Sequence, residues 1–376
     1  MSQSSKYHVP FNDLSIKNKE VRGRYLSALE KVMEHGRVLL GPEVNELEER
    51  LANYCNRKYA VGVGSGTDAL IVALMSLDIG VGDEVILGAV SWIASANAIR
   101  MVGATPVFVD VGEDLNIDPE TIEDAITPKT KAIIAVDYTG KICDMDSLSK
   151  IASNHHIHLI EDAAQAFGAR YKAKIAGSFG VISTFSMNPM KVYGTLGEAG
   201  AVLTDSEDIK NALVELRYNG MRDRVKSCRL GFNARIDTLH AALLLCRLEE
   251  FPQTLQRRQD IARQYDEHIT SEVLKPKTYA NSQDTYFCYH IKHPHRDLLF
   301  QQLTQLGIEC KTREWDYLPA HPSLNSARVV SANTAKRLSE ELICLPIFDN
   351  MTDEDVKSVC MAVNEACAEI ALAKVG

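Results

Sequence analysis

The sequence predicts an α/β protein: a large domain with a mostly parallel sheet flanked by helices, followed by a smaller C-terminal α+β domain. Two observations carry this. From Tyr59 onward, short apolar runs alternate with stretches of helical spacing, the pattern of successive βαβ units. After about Asp237 that alternation gives way to a long amphipathic stretch and then to mixed short strands and helices. The division falls near residue 250, giving a large domain over residues 1–250 and a small one over 251–376. The first segment, to about Val38, is expected to pack on the small domain.

In chain order, YAVGVGS is an apolar run closed by glycine, and TDALIVALMSL follows with helical spacing. EVILGAV and TPVFVDV read as strands on either side of the helical SWIASANAIRMVG. KAIIAVDY and HIHLIEDA are two more apolar runs, each ending at an acidic residue or a turn. VISTFSM leads into the glycine-rich NPMKVYGTLGEAGAV, where AGAVLTD resumes as a strand. DTLHAALLLCRLEEFPQTLQRRQDIARQYDEHI reads as long helix, in which Pro252 predicts a break or kink. YFCYHIKH and RDLLFQQLTQLGI are a strand and a helix of the smaller domain. HHIH, from His155 to His158, is read as strand; its alternating side chains face opposite ways, which argues against a metal site.

The 376 residues are 45% hydrophobic and 24% charged, ordinary values for a globular enzyme. A net charge of -9 gives no general attraction to nucleic acid or to an anionic membrane. No apolar run approaches the ~20 residues that span a bilayer, and the opening MSQSSKYHVPF has no signal-peptide core. Nine scattered cysteines without a C-x-x-C pair fit reduced thiols in a cytoplasm.

Three motifs sit where strands end, the edge at which open parallel sheets bind ligands. In GVGSGTDAL a glycine-rich turn opens a helix, whose free N–H groups and dipole suit an anion. As a dinucleotide fingerprint it is poor, because Thr67 stands where a third glycine belongs; alternatively it is a plain turn with a threonine cap. In IEDAAQAFG, Asp162 and Gln165 share a side if the segment turns helical. The carboxylate there could pair with a ring nitrogen, or merely cap a helix. In the glycine-rich stretch, Ser186 could meet a phosphate, and Lys191 could form a Schiff base with a carbonyl. Together the three suit one cofactor, pyridoxal 5'-phosphate (PLP), with Trp92 as a face for its ring.

These residues resemble the DegT/DnrJ/EryC1/StrS family of sugar aminotransferases, which has the PLP-dependent transferase fold of type I. LLGPEVNELEERLANY, SWIASANAIRMVGATPVFVDV, IEDAAQAFGA, GFNARIDTLHAALLLCRL and LPIFDNMTDEDVKSV all match, nearly the whole chain. The resemblance implies that Lys191 joins the cofactor's aldehyde, Asp162 meets its ring nitrogen and Gln165 approaches its ring hydroxyl. Gly66, Thr67 and Ser186 would hold its phosphate, and Trp92 would stack on its ring. Asn233 would reach the site of a neighbouring subunit in a homodimer, with Arg235 nearby. A lysine at 191, where dehydrating members carry histidine, implies transamination.

The implied reaction moves an amino group from glutamate or glutamine to a keto sugar. The resemblance implies a nucleotide-linked sugar for surface polysaccharide synthesis, and SANAI after Trp92 resembles the C4-aminating members more than the C3 group, which implies a 4-keto sugar. The basic residues Arg222, Arg224, Lys226 and Arg229 could bind an anionic acceptor, or be a solvated loop. A small phosphorylated ketone is the alternative acceptor. An NAD-dependent oxidoreductase would leave Lys191 and Asp162 unexplained. The chain departs from the family pattern in VDYTGKI, at Asp137, Thr139 and Lys141, around Asn188 to Met190, and in LGEAGA. These loops border the expected substrate cavity, and the role of VDYTGKI is open.

Overall fold

The computed structural model describes residues 8–223, 225–270, 273–276, 281–313 and 316–372. Eight strands form the central sheet: β1 (Tyr59–Val63), β2 (Glu84–Gly88), β3 (Thr105–Val109), β4 (Thr130–Val136), β5 (His158–Asp162), β6 (Ile182–Ser186), β7 (Gly200–Thr204) and β8 (Arg328–Val329). Their order across the sheet is β1-β7-β6-β5-β4-β2-β3-β8. Neighbours run parallel except at β7, which is antiparallel to both β1 and β6.

The apolar runs are strands because both faces of the sheet are covered, so successive side chains can all be apolar. Val107 and Val109 pack into one core while Phe108 packs into another on the opposite face. Ile133 and Ala135 divide from Ala132 and Ile134 in the same way. The period of two thus assigns each residue to a face.

A second layer is built on an antiparallel sheet of Tyr289–Lys292, Leu342–Leu345 and Lys311–Thr312. Helices Arg296–Gln305 and Asp353–Leu372 complete it. Its core joins Tyr289, Ile291, Leu299 and Val363 to Ile261 and Tyr265 of the long helix Thr238–His268. That helix runs through Pro252 without the expected break. Proline removes one backbone bond, but Leu244 and Phe251 are anchored in the large core and Ile261 and Tyr265 in the small one. Residues beyond 250 also contribute to both units: β8 extends the large sheet, and Leu318, Leu324 and Leu338 pack against its face.

At the N-terminal end, His8 and Val9 donate their N–H groups to the Gly307 carbonyl at 2.8 and 3.1 Å. Helix Lys19–His35 then lies along Thr238–His268, with the Tyr25 hydroxyl 3.3 Å from Glu250. The HHIH stretch is not strand throughout. His155 caps helix Met145–Asn154, His156 turns the chain at φ 55°, and β5 begins only at His158. Among the described residues, no helix is long and apolar enough to cross a membrane.

Candidate active site

The segments leaving the carboxyl ends of β1, β2, β5 and β6 meet in a cavity of about 840 Å³. Gly66, Thr67, Trp92, Asp162, Gln165, Ser186 and Lys191 all line it. Phe287, Lys311, Arg313 and His321 close it from the other side, with Phe11 from the N-terminal segment.

At one end, helix Gly66–Ser76 opens on the cavity. Ser65 caps it, its hydroxyl accepting the Asp68 N–H at 3.0 Å, so the cap is Ser65 and not Thr67. A Cβ at residue 66 would stand 2.5 Å from the Ser186 Cβ. Only glycine lets the helix start approach the end of β6 so closely. The helix N-terminus and the Ser186 hydroxyl can therefore hold an anion between them. The Asp68 carboxylate lies beside Gly64 and does not line the cavity.

Asp162, the last residue of β5, is buried. Its Oδ2 accepts the Ser95 hydroxyl at 3.0 Å and its Oδ1 the Ala164 N–H at 3.2 Å. Burial pushes its carboxyl pKa up, against the Ser95 and Ala164 hydrogen bonds and the charge of Lys191. Such a carboxylate is stabilised by any cation placed beside it.

Gln165 arrives by turns; the segment does not turn helical. Ala166 N–H donates to Ala163 and Ala169 N–H to Ala166, and Gly168 at φ 88° takes the chain into the left-handed region. The Gln165 Oε1 accepts the Thr139 N–H at 2.9 Å, and its backbone carbonyl accepts the Thr285 hydroxyl at 3.2 Å.

Lys191 follows a tight turn in which its N–H donates to the Asn188 carbonyl at 2.9 Å. Its Nζ lies 4.7 Å from the centroid of the Phe287 ring. Burial pushes the amine down to about 8; Asp162 opposes this and Arg313 adds to it. A lysine so placed can exchange protons near neutral pH. Trp92 is 53% exposed at the start of helix Ile93–Met101, so it offers a face to the cavity and is not a core residue.

Asn233, Arg235 and Arg222 do not line the cavity of their own chain. Asn233 is exposed and accepts the Arg235 Nε–H at 2.9 Å, while the Arg235 guanidinium sits 4.6 Å from the Tyr218 ring. Arg222 and Arg229 both bind Glu215, at 2.6 and 2.8 Å, so the basic cluster is partly neutralised within the chain. Arg224 lies outside the described residues.

Sequence reasoning missed the opposite wall. Arg313 donates from Nη1 to Asp316 Oδ2 and from Nε to Cys344 Sγ, both at 3.2 Å, and the Tyr138 hydroxyl donates to the same Asp316 oxygen. Lys311 pairs with Glu309 at 2.8 Å, and Glu198 accepts from Asn188 Nδ2 at 2.5 Å. In the sequence these charges look like ordinary surface residues. Only the docking of Lys311–Thr312 beside the large sheet's edge brings them in.

The residues present fit PLP. The cradle at Gly66 suits its phosphate, the lowered amine of Lys191 its aldehyde, and the buried carboxylate of Asp162 its ring nitrogen.

Comparison with known proteins agrees. The model of the DegT/DnrJ/EryC1/StrS aminotransferase family matches residues 19–364. The UDP-2-acetamido-2-deoxy-3-oxo-D-glucuronate aminotransferase of Pseudomonas aeruginosa is 33% identical, over 94% of this chain and 99% of that protein. The dTDP-3-amino-3,4,6-trideoxy-alpha-D-glucose transaminase of Streptomyces venezuelae is 35% identical, over 97% of each. A crystal structure of a DegT DnrJ EryC1 StrS aminotransferase from Brucella abortus is 30% identical with a TM-score of 0.92, over 96% of this chain and 100% of that one. In sequence and in fold alike, the chain belongs to the DegT/DnrJ/EryC1/StrS aminotransferase family and is a PLP-dependent sugar aminotransferase.

Proposed function

We propose that the enzyme moves an amino group from glutamate to the ketone of a nucleotide-linked sugar, both half-reactions using the one cavity. The observation that carries this reading is the pairing of Lys191, its amine pushed down to about 8, with the buried carboxylate of Asp162 in that cavity. The two curated relatives are named for a 3-oxo and a 3-amino sugar. We therefore place the ketone at carbon 3, in preference to the carbon 4 suggested by SANAI.

When bound, PLP supplies an aldehyde that takes up the amino group and a ring that spreads negative charge. The chain's own residues do the rest. Gly66, Thr67 and Ser186 hold the phosphate against the helix N-terminus. Trp92 covers one face of the ring, and Gln165, oriented by Thr139, reaches its hydroxyl. Asp162 keeps a proton on the ring nitrogen, because burial makes a bare carboxylate there costly and a neighbouring cation relieves it. Lys191 takes the proton from the donor's α-carbon and delivers one to the acceptor carbon that gains nitrogen. With a pKa of about 8 it does both near neutral pH.

Asn233 and Arg235 serve the neighbouring subunit's cavity in a homodimer; both lie outside their own. Arg222 belongs to the same segment and would reach the acceptor across that interface. The product, an amino sugar on a nucleotide carrier, suits cytoplasmic synthesis of precursors for a surface polysaccharide.

The test is a panel of nucleotide-linked 3-keto and 4-keto sugars and small keto phosphates. It is run with nitrogen-labelled glutamate or glutamine, and products are read by mass spectrometry. Label from glutamate in a 3-amino nucleotide sugar is the expected result. Exclusive use of a small keto phosphate would replace this reading.

A further inference from the structure

We propose that the acceptor's sugar ring bears a carboxylate and that Arg313, aimed by a brace from the VDYTGKI loop, is the residue that selects it. This rests on the nucleotide-sugar reading above and names the kind of sugar.

The charged side chains lining the cavity divide into two assigned to the cofactor and three held by a neighbour, of which Arg313 is the most enclosed cation. Asp162 and Lys191 serve the cofactor. Lys311 is paired with Glu309, and Glu198 is held by Asn188. Arg313 is not among the residues assigned to the cofactor, and its side chain is only 16% exposed. A cation kept at such depth costs desolvation, of which the Asp316 ion pair at 3.2 Å offsets a part.

Arg313 is also aimed. Asp316 and Cys344 take one N–H each from Nη1 and Nε, anchoring the guanidinium through two of its three nitrogens. Asp316 is itself fixed, by the Tyr138 hydroxyl on its Oδ2 and by the Ser91 N–H on its backbone carbonyl at 3.0 Å. Tyr138 is held in turn by Asn116, whose Oδ1 accepts its N–H at 3.0 Å. Next in sequence, Thr139 orients Gln165, and the Gly140 carbonyl accepts the Thr285 N–H at 2.9 Å. One loop therefore sets both the cofactor-side Gln165 and the Arg313 opposite. That gives VDYTGKI the role its sequence left open.

Position and charge specify the ligand. Arg313 lines the same cavity as Lys191 and adds to the depression of its amine, so its charge is felt where the amino group is transferred. The free edge of a guanidinium matches the two oxygens of a carboxylate. Asp316 already offsets part of its charge, so a singly charged carboxylate fits better than a phosphate dianion, which would call for a second cation.

UDP-glucuronate and UDP-glucose test this, since neither has a ring ketone and neither can be turned over. Calorimetry on the PLP-loaded enzyme should give UDP-glucuronate a Kd at least about 10-fold lower than UDP-glucose, the scale of one charge-assisted contact. Arg313→Gln should bring that ratio near one, and Arg313→Lys should keep part of it. Tyr138→Phe, which leaves the guanidinium in place but unbraced, should lower the ratio less than Arg313→Gln. Equal wild-type affinities would overturn the inference and leave the nucleotide-sugar reading standing. A ratio unchanged in Arg313→Gln, with both ligands weakened alike, would overturn it by assigning Arg313 to the nucleotide phosphates. Binding of neither ligand would overturn the inference and the nucleotide-sugar reading together.

Discussion

Ser95 donates its hydroxyl to Asp162 Oδ2 at 3.0 Å, tying the start of one helix to the end of the central strand. Asp162→Asn keeps the shape and removes the charge proposed to hold a proton on the cofactor ring. The expected loss in kcat/KM is on the order of 10²-fold, or ~3 kcal/mol of transition-state stabilisation. A rate within about two-fold of wild type would leave Asp162 as no more than a cap on the turn that follows.

Lys191 sets a pH dependence that can be read without turnover. Its pKa lies below the ordinary lysine value because burial disfavours the charged amine, and only the neutral amine attacks an aldehyde. Capture of PLP by cofactor-free enzyme should therefore rise with pH through a midpoint of about 8 and then level off. Asp162 opposes the depression, so Asp162→Asn should move the midpoint lower still. A midpoint above about 10, the range of a solvated lysine, would contradict the environment described here. Lys191→Ala should fold and show no sustained turnover.

Gly66→Ala should damage the phosphate cradle first. Its new methyl would meet the Ser186 Cβ at 2.5 Å, and neither the helix start nor the strand end can easily yield. We expect a loss of ~1–3 kcal/mol, divided between thermal stability and PLP affinity. Adding Ser186→Gly should restore part of the stability by removing the atom struck. No recovery in the double variant would place the strain elsewhere.

Subunit exchange tests the placement of Asn233. Homodimers of Lys191→Ala or of Asn233→Ala should each lack full activity. Mixed dimers should carry one site with both lesions and one with neither, so activity should return on mixing. A fully active monomer would refute the shared site.

What could be read from the sequence was what local pattern encodes. Apolar runs such as KAIIAVDY announce buried strands, and glycines around Lys191 announce a close approach. IEDAAQAFG left a helix open, whereas Gly168 and the hydroxyl of Thr285 impose a turn. HHIH misled because alternation cannot distinguish a strand from a helix cap followed by a left-handed residue. Arg313 and Asp316 were invisible for another reason. Their meaning comes from Tyr138, which is distant in sequence and placed beside them only by the fold.

The cavity wall begins at Phe11 and ends at His321, and the strap at Val9 closes onto Gly307. Such distant segments must pay for loop closure before their contacts reward it. On the ribosome, Lys191 and Asp162 emerge and can join the sheet while the opposite wall has yet to be made. Thr285 and Phe287, which fix Gln165 and lie beside Lys191, adjoin a strand that pairs with one made later still, so occupancy of this site by its vitamin-derived cofactor reports on a finished chain. During refolding, the protein-bound visible absorbance of PLP should lag the return of helical circular dichroism, and a chain truncated before Gly307 should regain the second signal better than the first.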